Sequence, residues 1–120
     1  MAKYVDGFVL VVPKKKLKAY RAIAAKAGKL WKKYGALEYM ECVGDDLHGK
    51  YIMLPFSKLA KTKPSEAVVF SFIVYKSRAH RDAVNAKAMK DPVMDEWKDK
   101  PMPFDMKRMA SGGFKAIVDL

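Results

Sequence analysis

The sequence contains one cysteine, Cys42, and two histidines, His48 and His80. A lone cysteine closes no internal disulfide, and a reducing, cytoplasmic setting is expected. No His-x-x-x-His pair, Cys-x-x-Cys pair or carboxylate cluster has metal-binding spacing, so no metal site is expected. A glycine-rich phosphate loop and a nucleophile elbow are also missing, and no cofactor is expected. The longest aliphatic run, Phe8 to Val12, has the length of a strand and is too short to span a bilayer. Asp6 precedes that run and no small-residue cleavage site follows it, so neither a signal peptide nor membrane association is expected. Acidic residues are absent from one long stretch: none lies between Gly7 and Leu37.

That stretch instead holds nine basic residues: Lys14, Lys15, Lys16, Lys18, Arg21, Lys26, Lys29, Lys32 and Lys33. Leu17, Tyr20, Ala24, Ala27, Trp31 and Tyr34 recur at spacings of three and four. With Ile23 and Leu30 they fall within an arc of about 140° at helical periodicity. The spacing predicts one amphipathic helix from Pro13 to Tyr34, dry on one face and cationic on the other, with only Lys16 out of place. Pro13 suits a helix start and Gly35 a left-handed stop. The chain has 24 Lys and Arg against 13 Asp and Glu, a net charge of +11, so the cationic helix carries most of the excess. A hydrophobic fraction of 51% over 120 residues supports one folded domain, residues 1–120, with a real core.

Lys3 to Val12 predicts a first strand. Tyr4, Asp6, Phe8, Leu10 and Val12 take one face, and Val5, Gly7, Val9 and Val11 the other. The face with Gly7 is expected to receive a helix. Ala36 to Val43 predicts a second strand, with Leu37, Tyr39, Glu41 and Val43 opposite Glu38, Met40 and Cys42. Lys50 to Phe56 suggests a short edge strand ended by Pro55. Glu66 to Tyr75 is apolar on both faces and reads as a central strand. Ser77 caps a second helix running to about Lys90, whose Ala79, Ala83 and Ala86 offer a small stripe for packing. Asp91-Pro92 starts a short helix to about Trp97. Met109 to Leu120 closes the chain as a last strand, where Gly112 and Gly113 imply a bulge or a close backbone approach.

This order describes an α+β fold: a ferredoxin-like antiparallel sheet with two main helices on one face. The other face, expected to carry Tyr4 and Phe8, is too apolar for water. A homodimer packed sheet to sheet, a dimeric α/β barrel, would cover it.

Asp6, Tyr39 and Glu41 are expected on the face toward the barrel interior. A carboxylate in apolar surroundings is costly unless paired or protonated, and Arg108 is the expected counter-ion. His80 begins the second helix between Arg78 and Arg81. It either bonds locally or serves as a neutral base whose pKa its cationic neighbours lower. His48 reads as a loop residue and Cys42 as a small core residue. The segment Pro103-Phe104-Asp105 reads as a lid or a connector.

Four stretches in combination resemble the YbaA-like family of unknown function. They are Tyr4-Val5-Asp6-Gly7-Phe8; Gly35-Ala36-Leu37-Glu38-Tyr39 with Glu41-Cys42; Ser77 to Asn85; and Met102-Pro103-Phe104-Asp105 with Lys107-Arg108-Met109 and Gly112-Gly113-Phe114. The resemblance implies a small bacterial protein of dimeric α/β-barrel type and no particular activity. Three functions remain open. One is a small-molecule pocket between sheet and helices, contacted by Asp6, Tyr39, Glu41, His80 and Arg108. The second is anion or nucleic-acid binding by Lys14, Lys15, Lys16 and Lys18, whose charges crowd the positive end of the helix dipole. The third is a non-catalytic dimeric protein-interaction module.

Overall fold

Alternating side chains of high β propensity build a twisted sheet, and one helical layer covers one side of it. A computed structural model describes residues 2–120. Strand β1 (Tyr4–Pro13) leads through a 3-10 turn (Lys14–Lys16) into helix α1 (Leu17–Lys33). Strand β2 (Glu38–Val43), a four-residue helical turn α2 (Phe56–Leu59), strand β3 (Glu66–Tyr75) and helix α3 (Arg78–Met89) follow. Two 3-10 turns, Pro92–Glu96 and Met106–Arg108, precede strand β4 (Ala110–Lys115). The strands pair antiparallel in the order β2-β3-β1-β4, the ferredoxin-like arrangement. The molecule measures 39 × 38 × 20 Å, so it has two layers and no third.

Helix α1 starts four residues later than periodicity suggests. Pro13 still pairs with Glu66 in the sheet, and the Lys14 N–H donates to the Ser65 carbonyl. The chain leaves the ladder only at the 3-10 turn, which explains why Lys16 does not fit the helical pattern. Gly35 ends the helix at φ 116°, a conformation that glycine adopts without penalty. Lys50 to Phe56 forms no strand. Ile52 N–H turns back onto the Gly49 carbonyl, and Pro55 opens helix α2. Pairing between β1 and β4 is continuous, so the two glycines make no bulge. They permit close approach: a Cβ on Gly113 would stand 2.5 Å from the Tyr4 hydroxyl.

The helices cover the Tyr4, Asp6, Phe8, Leu10 and Val12 side, the reverse of the expectation. Leu10, Val12 and Val69 pack with Tyr20 and Ala24 of α1, while Ile73 and Tyr75 pack with Ala36 and Val84. The large rings of Tyr4, Phe8, Trp31 and Tyr34 need the space between sheet and helix, and Gly7 instead lies beneath the Phe114 ring. The inner face of α3 is also not the alanine stripe, which is exposed. Val84 and Ala88 are buried, with Arg81 and Asn85 half-buried. Those two polar residues have inward partners. Arg81 donates to Asp6 at 2.7 Å, and Asn85 Oδ1 accepts from Trp31 Nε1 at 2.9 Å.

The opposite side of the sheet has no helix over most of its area. Val5, Val9, Met40, Cys42, Phe72, Val74 and Phe114 share it with Phe70, which is 44% exposed. Cys42 is therefore a half-buried residue of the open face and not of the core. Only the segment after Gly44 folds back over one end, where the Phe56 ring lies 6.3 Å from Phe70. Tyr51, Met53 and Leu54 in that segment stay exposed.

Candidate functional site

The space between α1 and the sheet is set by small residues. Ala24 and Ala27 line a cavity of about 280 Å³. Glu41, Ser71 and Phe8 lie side by side across β2, β3 and β1 and form its floor. Tyr20, Ile23 and Trp31 of α1 roof it, and Met94, Trp97, Met102 and Phe104 close one side. That side is held to α1 by charge and hydrogen bonding. Lys26 pairs with Glu96, Lys33 with Asp91 at 3.4 Å, and the Tyr34 hydroxyl donates to Asp91 at 2.6 Å.

Glu41 is the one ionisable acid or base on this wall, tyrosines apart. Its Oε1 accepts from the Tyr20 hydroxyl and its Oε2 from the Tyr39 hydroxyl, both at 2.7 Å. Among the described residues, no Lys, Arg or His nitrogen lies within 4.0 Å of it. Burial, reinforced by the bonds to Glu41, pushes both tyrosines far above their ordinary pKa, so they stay protonated donors. Gly28 lets the helix descend onto Tyr39: a Cβ there would stand 2.7 Å from the ring. On the far side of Tyr20 and Glu41 a wider groove of about 650 Å³ opens between α1 and β2, with Lys18 and Arg21 on its rim.

Of the candidates named from sequence, only Tyr39 and Glu41 meet at this cavity. Asp6 shares their side of the sheet but is taken by Arg81, whose guanidinium also stacks on the Tyr4 ring at 4.8 Å. Burial pushes the Asp6 carboxyl up from its ordinary value, against the pull of Arg81. Arg108 is not the counter-ion of either carboxylate. It binds Glu66 at 2.6 Å and Asp105 at 2.8 Å, pinning the 105–108 turn to the start of β3. That pairing holds Glu66 down to about 2. His80 is also elsewhere: its Nδ1 accepts from the Lys76 N–H at 2.9 Å, and its own N–H donates to Ser77 Oγ at 3.1 Å. Lys14, Lys15 and Lys16 lie exposed on the 3-10 turn, with Lys18 exposed just beyond it.

Sequence reasoning missed Tyr20 as a polar group, because its helical position counted it with the dry face. Trp97 was read only as the end of a short helix, Phe104 only as part of a lid or connector, and Met102 lies in irregular chain without periodicity, so none was named as a cavity contact. Among the described residues no group of three or more His, Cys, Asp or Glu side chains could hold a metal, and no helix is long and apolar enough to cross a membrane.

Residues 3–106 match the family described as "Protein of unknown function (DUF1428)". The chain belongs to this family. It is 50% identical over 118 residues to the uncharacterized protein YbaA of Escherichia coli K12, covering 98% of both chains, and the YbaA of Shigella flexneri matches equally. Among solved structures it is similar to a dimeric ferredoxin-like protein from an uncultured marine organism. That match has a TM-score of 0.63 and 13% identity over the full length of both chains, and it establishes the shared fold.

The Gly28 contact gives a test of how the site is held. Alanine has the better helix propensity by about 1 kcal/mol, yet overpacking typically costs about 1–3 kcal/mol. Gly28→Ala should therefore lower the unfolding free energy, and Tyr39 should leave Glu41. Denaturant melts together with the crystal structure of the variant would check both.

Proposed function

We propose that this protein is a homodimer whose subunits each bind a small, largely apolar molecule in the cavity between α1 and the sheet. The observation that carries the binding reading is Glu41, fixed by two tyrosine hydroxyls at the edge of a space walled by aromatic and methionine side chains. A few convergent polar groups in an apolar cavity are the usual features of a ligand site. The residues we assign to the ligand are Tyr20, Tyr39 and Glu41, with Trp31, Trp97 and Phe104 as apolar contacts. Asp6, His80 and Arg108 take structural roles in this reading.

The dimer is supported by the open sheet face. Met40, Phe70 and Phe114 are all at least 44% exposed on it. Tyr51, Met53 and Leu54 extend the apolar area beyond the sheet. A second copy matches such a surface, because the same patch on both partners is self-complementary about a two-fold axis. The solved structure of similar fold is described as dimeric, which agrees with this arrangement.

Sedimentation equilibrium at micromolar concentration should give twice the chain mass, and Phe70→Asp should shift it to a single chain. A folded wild-type monomer would exclude the dimer. For the cavity, a fragment screen by NMR should yield compounds that move the indole N–H signals of Trp31 and Trp97. Ala27→Phe, which fills the cavity, should abolish those shifts. Binders unaffected by that substitution would place the site elsewhere.

A further inference from the structure

We infer that the ligand of this cavity is an organic cation, an alkylated ammonium group on a small apolar body. The inference rests on the cavity reading above and adds the charge of the occupant. The chain has 24 Lys and Arg, yet among the described residues none lines the inner cavity, where Glu41 is the only charged side chain. An anion entering it would face an uncompensated like charge, and a neutral molecule would leave that charge unanswered.

Hydrogen bonding points the same way. The Tyr20 and Tyr39 hydroxyls both donate to Glu41, and the Trp31 N–H donates to Asn85, so none of these donors is free for an occupant. The clamp therefore offers acceptor lone pairs and negative charge to an occupant. The Ser71 hydroxyl on the floor can serve as donor or acceptor.

The rest of the wall suits an ammonium group as well. Phe8, Tyr20, Trp31, Tyr39, Trp97 and Phe104 bring six aromatic rings around one carboxylate. Aromatic faces attract cations, most strongly where water is excluded, and a methylated ammonium loses little hydration on entering. At about 280 Å³ the cavity lies near the lower end of ligand-pocket sizes, which restricts the occupant to a small molecule. Lys18 and Arg21 line the outer groove, which shares Tyr20, Tyr39 and Glu41 with this space, and neither lines the inner cavity.

Three probes of nearly one shape and different charge test the inference: choline, 3,3-dimethylbutan-1-ol and 3,3-dimethylbutanoate. Each is titrated into the full-length protein while the Trp31 and Trp97 indole signals are followed. Choline should bind about tenfold more tightly than the neutral alcohol, and the carboxylate most weakly. Glu41→Gln should remove the advantage of choline over the alcohol. Equal binding of alcohol and choline in the wild type would overturn the charge inference and leave the cavity standing. If none of the three moved either indole, both would fall. The wild-type order decides the matter even where the variant fails to fold.

Discussion

Between the basic helix and the edge strand of the sheet, two tyrosine hydroxyls hold one carboxylate that has no cationic nitrogen of the described residues within 4.0 Å. Glu41 is half-buried, and the hydration it gives up is replaced by two neutral donors and no counter-ion. Cations are abundant in this chain, and nine of them lie on α1 and the turn before it. Lys26 and Lys33 pair with Glu96 and Asp91, Lys18 and Arg21 line the outer groove, and none of the nine brings a side-chain nitrogen within 4.0 Å of the Glu41 carboxylate. Among the described residues, Glu41 is the one charged side chain lining the inner cavity. Gly28 lets the helix approach closely enough for the clamp to form, and Ala24 and Ala27 leave the adjoining space unfilled.

The second constraint is the sheet itself. Its two central strands, β1 and β3, are apolar on both faces, so each face needs cover. One helical layer supplies cover on one side only. The Asp6–Arg81 pair and the Trp31–Asn85 bond tie that layer down through polar contacts as well as packing. On the other side Phe70 and Phe114 stay exposed.

Much of this was legible in the sequence, and the failures have physical causes. Period-two alternation in Tyr4 to Val12 and Glu66 to Tyr75 marked the strands, and Ser77 and Asp91 marked the starts of helix α3 and of the 3-10 turn Pro92–Glu96, each accepting a backbone N–H as a cap. Alternation assigns residues to two faces without saying which face the helices take. Here the size of Tyr4 and Phe8 decided it, and the expected face was the wrong one. On α3 the expected inner face was the stripe of Ala79, Ala83 and Ala86, because nothing in sequence shows Asp6 and Trp31 waiting for Arg81 and Asn85. Arg108 was given the wrong carboxylate for a related reason, since Glu66 lies 42 residues away on another strand. The candidate site was half legible. Tyr39 and Glu41 were found from their shared face, whereas Tyr20 and the aromatic side wall depended on tertiary packing.

A ligand clamp and a structural bracket differ in what removing them does. Residues kept for binding generally lower stability, whereas residues kept for structure raise it. The direct measurement is the melting temperature of the triple variant Tyr20→Phe, Tyr39→Phe, Glu41→Leu, which exchanges the whole polar group for apolar side chains of similar size. Removing all partners together strands no polar atom, and such replacements are often neutral or stabilising. The account predicts that this variant melts above the wild type and no longer distinguishes a cation from its neutral counterpart. A substantially lower melting temperature would show that the clamp holds the fold together, contradicting its assignment to a ligand.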